Sequence, residues 1–154
     1  MGSLALPSSG SVYLDAVGFI YSVERIEPFC SLLQPIWQAA QSGRIEIVAS
    51  ELVILETLVK PIRDHDTTLQ DSFRELLRSR EVELVPTTSS IWKRAAHIRA
   101  TTGLKTPDAI HAASALAAKA NLLVTNDSHF RRISAPPVVI LSDLVERPEA
   151  RRLE

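Results

Sequence analysis

The chain has one cysteine, five glycines and almost no net charge, and each scarcity excludes something. A lone Cys30 cannot form a disulfide within these 154 residues. That agrees with a reducing compartment, and the cytoplasm is the expected location. Neither GxGxxG nor GxxxxGK[ST] occurs, so a backbone cradle for nucleotide phosphates is not indicated. The four histidines, His65, His97, His111 and His129, are scattered, and no Cys/His spacing of a zinc site exists. No GxSxG elbow supports a serine nucleophile. The net charge of −1 means that nucleic acid, if bound, is held by a local patch rather than by a basic surface as a whole. No run is long enough to span a bilayer: the longest uncharged apolar stretch, AIHAASALAA, is about half the length needed. The opening MGSLALPSSG lacks the basic leader of a secretory signal and the Ser or Thr at position 6 of a myristoylation signal.

What is present is the composition of an ordinary soluble domain, 45 % apolar and 23 % charged. At this length a single core is expected. Short β-rich runs alternate with helical patterns. SVYLD, RIEIVAS, VELVP, NLLVTND and PVVIL read as strands. Helices are expected over residues 29–42, closed by Gly43; from a cap at Ser50 to about Val59, stopped by Pro61; over 67–79; from Ser89 or Ser90 through Thr101; and from Thr106-Pro107 onward. This alternation predicts an α/β fold, a three-layer α/β/α sandwich around a mostly parallel sheet of about five strands. Residues 1–10 are expected to form a flexible tail, 11–145 the domain, and 146–154 a charged C-terminal tail.

Four acidic residues stand at boundaries or breaks in this pattern: Asp15 ends VYLD, Glu56 interrupts the stripe of SELVILETLVKP, Asp108 opens TPDAIHAASAL, and Asp127 follows LLVTN. Open α/β sheets gather such positions at the carboxyl ends of their strands. Carboxylates brought together repel, at roughly 4 kcal/mol per pair at about 4 Å and an effective dielectric near 20. A hard divalent cation, which prefers oxygen ligands, relieves that repulsion. Each residue also has a plainer role open to it. Asp15 can cap a helix starting at Ala16. Glu56 borders a face formed by Leu52, Leu55, Val59 and Ile62, read here as the core face, and can pair with an arginine. Asp108 can stabilise its helix N-terminus, and Asp127 can form a turn, with Thr125 orienting its carboxylate. His111 reads as a packed or hydrogen-bonded imidazole rather than a metal ligand.

In order and spacing, VYLDAVGFIY, Glu56 within SELVILETL, TPDAIHAASAL and LLVTNDSHF resemble the four acidic motifs of the PIN domain, and most closely the VapC-type toxin ribonucleases of toxin–antitoxin pairs. The likeness spans roughly residues 11–145. It implies a Mg²⁺- or Mn²⁺-dependent endoribonuclease that leaves a 5′-phosphate and a 3′-hydroxyl. Asp15, Asp108 and Asp127 would bind metal, and Glu56 would support them or orient a water. It also implies an RNA substrate, an antitoxin partner and a homodimer. Lys60, Arg63, Lys105, Arg131 and Arg132, near the acidic motifs in sequence, are the candidates for holding RNA. One position departs from the family pattern: Val17 stands where a small polar residue is usual, two after the first aspartate. That departure keeps a second reading open, a catalytically weakened PIN-like module that binds RNA or protein. A phosphotransfer receiver also places an aspartate after its first strand, but no lysine follows NLLVTND at the end of a late strand.

Overall fold

Strand and helix alternate along most of the chain in the computed structural model, which describes residues 2–145. The order is β1 (Ser11–Leu14), α1 (Ala16–Val23), α2 (Phe29–Gln41), β2 (Glu46–Ser50), α3 (Leu52–Arg63), α4 (Thr67–Leu77), β3 (Val82–Val85), α5 (Ser89–Thr102), α6 (Thr106–Ala117), β4 (Leu122–Thr125) and β5 (Val138–Ile140). Two 3₁₀ turns follow β4 and β5, at Ser128–Arg132 and Leu141–Leu144. The five strands form one sheet in the order β3-β2-β1-β4-β5, and every pairing is parallel. The expected three-layer α/β/α architecture is the observed one.

Strand alternation divides the core. Val12, Leu14, Ile47, Ala49, Leu122 and Val124 face one way and pack with Phe19 of α1, Leu33 and Ile36 of α2, Val53 of α3 and Leu77 of α4. Tyr13, Val48 and Leu123 face the other way, toward Ala112 and Ala115 of α6. The small residues of α6 let it lie close to the sheet and to α5, where Ile91 and Ala95 meet Ala109, Ile110 and Ala113. At the start of β1, Gly10 has φ +91°, and a Cβ there would collide with the Asn121 side chain. That close approach lets Asn121 Oδ1 accept the Ser11 N–H at 2.9 Å, setting β1 beside β4.

Three local expectations need correction. Residues 2–6 do not trail away as a flexible tail. The Gly2 N–H donates to the Leu144 carbonyl at 2.8 Å, Leu4 is buried, and Leu6 packs on the core, because these leucines have apolar surface to cover. The charged segment 146–154 lies outside the described residues. Pro61 does not stop α3, which runs on to Arg63 with Pro61 buried in its last turns. And α3 presents Val53, Thr57 and Pro61 to the interior, whereas Leu55, Val59 and Ile62 are 60 %, 44 % and 50 % exposed. The apolar stripe is present, but it faces outward.

Among the described residues no helix is long and apolar enough to cross a membrane.

Candidate functional site

From the central strand β1 the chain first builds outward on one side, to β2 and β3, and then on the other, to β4 and β5. The order reverses between β1 and β4, where doubly wound sheets open their binding crevice at the carboxyl ends of the strands. Asp15 is the residue after β1, and Asp127 lies two residues after β4.

Asp15 occupies the N-cap position of α1, yet its side chain makes no capping hydrogen bond. The carboxylate turns instead to β4: Thr125 Oγ1 donates to Asp15 Oδ2 at 2.5 Å. The same hydroxyl oxygen accepts the Asp127 N–H at 3.1 Å, so Thr125 ties the ends of both strands together. It orients the carboxylate of Asp15 and only the backbone of Asp127, a correction to its expected role. Asp15 is 7 % exposed, and its Oδ1 is buried without a hydrogen-bond partner. Burial above all pushes this carboxyl up to about 6, and the charge of Glu56 adds to the rise, against the lowering effects of His111 and Thr125.

Glu56 projects from α3 and pairs not with an arginine but with His111 of α6, whose Nε2 donates to Glu56 Oε1 at 2.6 Å. The other ring nitrogen, Nδ1, lies 2.6 Å from the Tyr13 hydroxyl, and that hydroxyl accepts the Ser50 N–H at 3.0 Å. His111 is thus buried and bonded through both nitrogens, as an imidazole among small residues should be. Burial raises the Tyr13 phenol far above its ordinary value, so it keeps its proton.

Asp108 sits in the first turn of α6, behind a proline. Its carboxyl is raised by burial first, then by the negative charges of Asp127 and Glu56, against His111 and His129. Asp127 caps the 3₁₀ turn that follows it: Oδ1 accepts the His129 N–H at 2.9 Å and meets His129 Nδ1 at 2.8 Å. The charge of Glu56 thus acts on both Asp15 and Asp108, and that of Asp127 on Asp108. Among the described residues no three carboxylate, imidazole or thiol side chains converge closely enough to hold an ion as they stand.

Of the basic candidates, Lys105 and Arg132 line a cavity of about 220 Å³ together with Asp108 and His129. Lys60 and Arg63 are exposed at the end of α3. Arg131 is committed elsewhere, to a two-oxygen pairing with Asp143 at 2.6 and 2.7 Å. Sequence reasoning passed over Tyr13 and Asn126. The Asn126 side chain donates to Tyr21 Oη at 3.1 Å and accepts from Ser142, which braces the loop after β4. For the first, the only signal was that a phenol, if buried, needs a partner, and a tyrosine in a strand does not announce its burial.

This is an all-parallel α/β domain with two aspartates, Asp15 and Asp127, at the carboxyl ends of the strands that flank its topological switch point. The chain belongs to the PIN domain family, whose model matches residues 12–136. No curated protein matches it in sequence. Its fold is similar to three solved toxin–antitoxin structures. VapBC2 from Rickettsia felis, bound to a DNA fragment from its promoter, matches with TM-score 0.67 and 18 % identity, over 84 % of this chain and 97 % of that one. A toxin–antitoxin complex from Klebsiella pneumoniae matches with TM-score 0.64 and 21 % identity, over 84 % and 97 %. VapBC-1 from nontypeable Haemophilus influenzae matches with TM-score 0.63 and 16 % identity, over 86 % and 98 %.

Proposed function

We propose that this protein is a metal-dependent endoribonuclease of the VapC type, the toxin of a toxin–antitoxin pair. The observation that carries the reading is Asp15 Oδ1, a buried carboxylate oxygen with no partner, in a PIN domain whose other acidic candidates are Glu56, Asp108 and Asp127. An orphaned oxygen in an all-carboxylate set is the chemistry that a hard cation satisfies. Asp15, Asp108 and Asp127 would hold Mg²⁺ or Mn²⁺. When bound, such an ion supplies Lewis acidity toward a phosphodiester and lowers the pKa of a water. Glu56 orients a water through the oxygen that His111 leaves free. Thr125 fixes the Asp15 carboxylate in one orientation, and the low exposure of Asp15 keeps bulk water from screening its charge. Lys105 and Arg132, with Lys60 and Arg63 farther out, hold the RNA backbone by charge.

The proposed partners are an antitoxin and a second copy of the chain. The similar solved structures are toxin–antitoxin complexes, and the exposed apolar stripe of α3 is the kind of surface that a protein partner covers. The cytoplasm is the proposed location.

Purified protein is expected to cleave RNA with Mg²⁺ or Mn²⁺, to stop with EDTA, and to leave 5′-phosphate and 3′-hydroxyl ends. Asp108→Asn is expected to abolish cleavage while circular dichroism stays unchanged. Full activity in that variant, or cleavage that persists in EDTA, contradicts the proposal. The half-buried Val17, in place of the usual polar residue, favours one alternative: a weakened module that binds RNA or protein without turnover. Absence of Mn²⁺ binding at millimolar metal in calorimetry selects that alternative.

A further inference from the structure

β1 reads SVYL, and its one aromatic residue, Tyr13, is fully buried with its hydroxyl. Tyr13 and Asp15 are two residues apart, so they lie on the same face of the sheet, toward α6. A phenol there needs partners, and it has them on two other elements. Its oxygen accepts the Ser50 N–H at the end of β2, and it meets His111 Nδ1 on α6. The chain of bonds continues from His111 Nε2 to Glu56 Oε1 on α3. Four elements are thus linked by three hydrogen bonds, in a chain whose last member ends on one carboxylate oxygen.

The direction of the last bond is fixed by chemistry. A carboxylate oxygen only accepts, so Nε2 carries a hydrogen whatever the state of the rest of the ring. In the neutral ring Nδ1 is then bare and accepts from the Tyr13 hydroxyl, whose own oxygen takes the Ser50 amide. A Glu56 held in this way has one oxygen committed to the protein. Among the described residues no hydrogen bond reaches the other, Oε2.

We infer that Tyr13 and His111 are positioning residues that hold Glu56 in its working orientation and dedicate Oε2 to the attacking water. This rests on the nuclease reading and adds to it: the Glu56 side chain is 27 % accessible, so packing alone does not fix it, and without the chain it would sample other rotamers. Tyr13 contributes no atom to substrate or metal. It acts only through the imidazole. Glutamine at position 111 can still donate to Glu56, so it should act as a partial replacement.

The test uses the full chain with Mn²⁺ and a short RNA. Tyr13→Phe keeps the ring packing and is expected to lower kcat by about 10- to 100-fold, the usual consequence of removing a supporting partner, with KM changed less than twofold. His111→Leu should fall further, and His111→Gln should recover part of the loss. Histidine ¹⁵N NMR of the wild type should show Nε2 protonated, and the resonance pattern should change in Glu56→Ala. If wild-type protein cleaves RNA and Tyr13→Phe keeps its full kcat, the positioning inference fails and the nuclease reading stands. If a bare Nε2 appears in the wild type, the inference fails on geometry alone. If the wild type itself does not cleave, the nuclease reading falls and takes this inference with it. His111→Gln as slow as His111→Leu also counts against it.

Discussion

The acidic edge has a dry half and a wet half. Asp15, with Thr125, Tyr13 and His111 around it, lies out of solvent, and nearly every polar atom there is spoken for by another element. Asp127 and its neighbour His129 are 39 % and 56 % exposed and are bonded to each other within one short turn. The dry half is built from β1, β2, β4, α3 and α6 together, whereas the wet half is local. A carboxylate in the first environment is costly until a cation arrives. In the second, water already solvates it. The one polar atom of Asp15 left without a partner belongs to the half where such a lack is most expensive.

Asp15→Asn should therefore have the largest effect, and the effect should be double. Cleavage is expected to fall on the order of 10³-fold, as when a fixed electrostatic group is removed from a reacting centre. Stability of the metal-free protein should move the opposite way. The folded-state pKa of Asp15, about 6, lies above its ordinary value of 3.8. Its contribution is most favourable below about pH 4 and is lost as pH rises through 6. At pH 7.5 in EDTA the buried charge costs about 3 kcal/mol, at 1.36 kcal/mol per pKa unit. The variant should then melt about 6–12 °C higher than wild type at pH 7.5, with the gap closing near pH 4. Parallel melting curves for the two proteins at every pH would mean that water reaches Asp15 and that the dry half is not dry.

Asp127→Asn tests the wet half. Asparagine caps a helical turn about as well as aspartate, so unfolding free energy should change by less than about 0.5 kcal/mol at any pH from 5 to 8. Cleavage should still drop, by about 10²-fold, because a neutral amide is a poor ligand for a hard cation. A stability gain at neutral pH as large as that of Asp15→Asn would erase the distinction between the halves.

The wet half was largely legible in the sequence, and the dry half only at its ends. Asp127 after a strand, followed by a turn, is a local signal, and it sits where its neighbours implied; Asp108 behind a proline, half-buried between the two halves, is another. Asp15 was also placed by its strand, although its plainest role, the helix cap, is one that its side chain does not perform. The partner of Glu56 was not legible. It comes from α6, 55 residues away, and nothing local distinguishes a histidine from an arginine as the group waiting there. Tyr13 was hidden because aromatic residues are ordinary in strands. The face of α3 was misread for a related reason. Periodicity reveals that an apolar stripe exists, but not which side of the helix meets the sheet. The interior side is narrow, one residue per turn at Val53, Thr57 and Pro61, and a threonine and a proline disguise it.

That same boundary between dry and wet surface runs along α3, and a pair of substitutions on either side of it gives the smallest effect and the sharpest contrast. Val53 is fully buried against the sheet, and Val53→Ala should cost about 2 kcal/mol through the cavity it leaves. Leu55, two residues on, is 60 % exposed, and Leu55→Ser should cost no more than about 0.5 kcal/mol in the isolated chain. Urea titrations read both as shifts in midpoint at constant slope. The hydrophobic residue that looked central in sequence is thus expected to be nearly silent, and the smaller one beside it to matter. A Leu55→Ser loss as large as that of Val53→Ala, independent of protein concentration, would place the outer stripe of α3 inside the folded chain after all and move the boundary beyond Glu56.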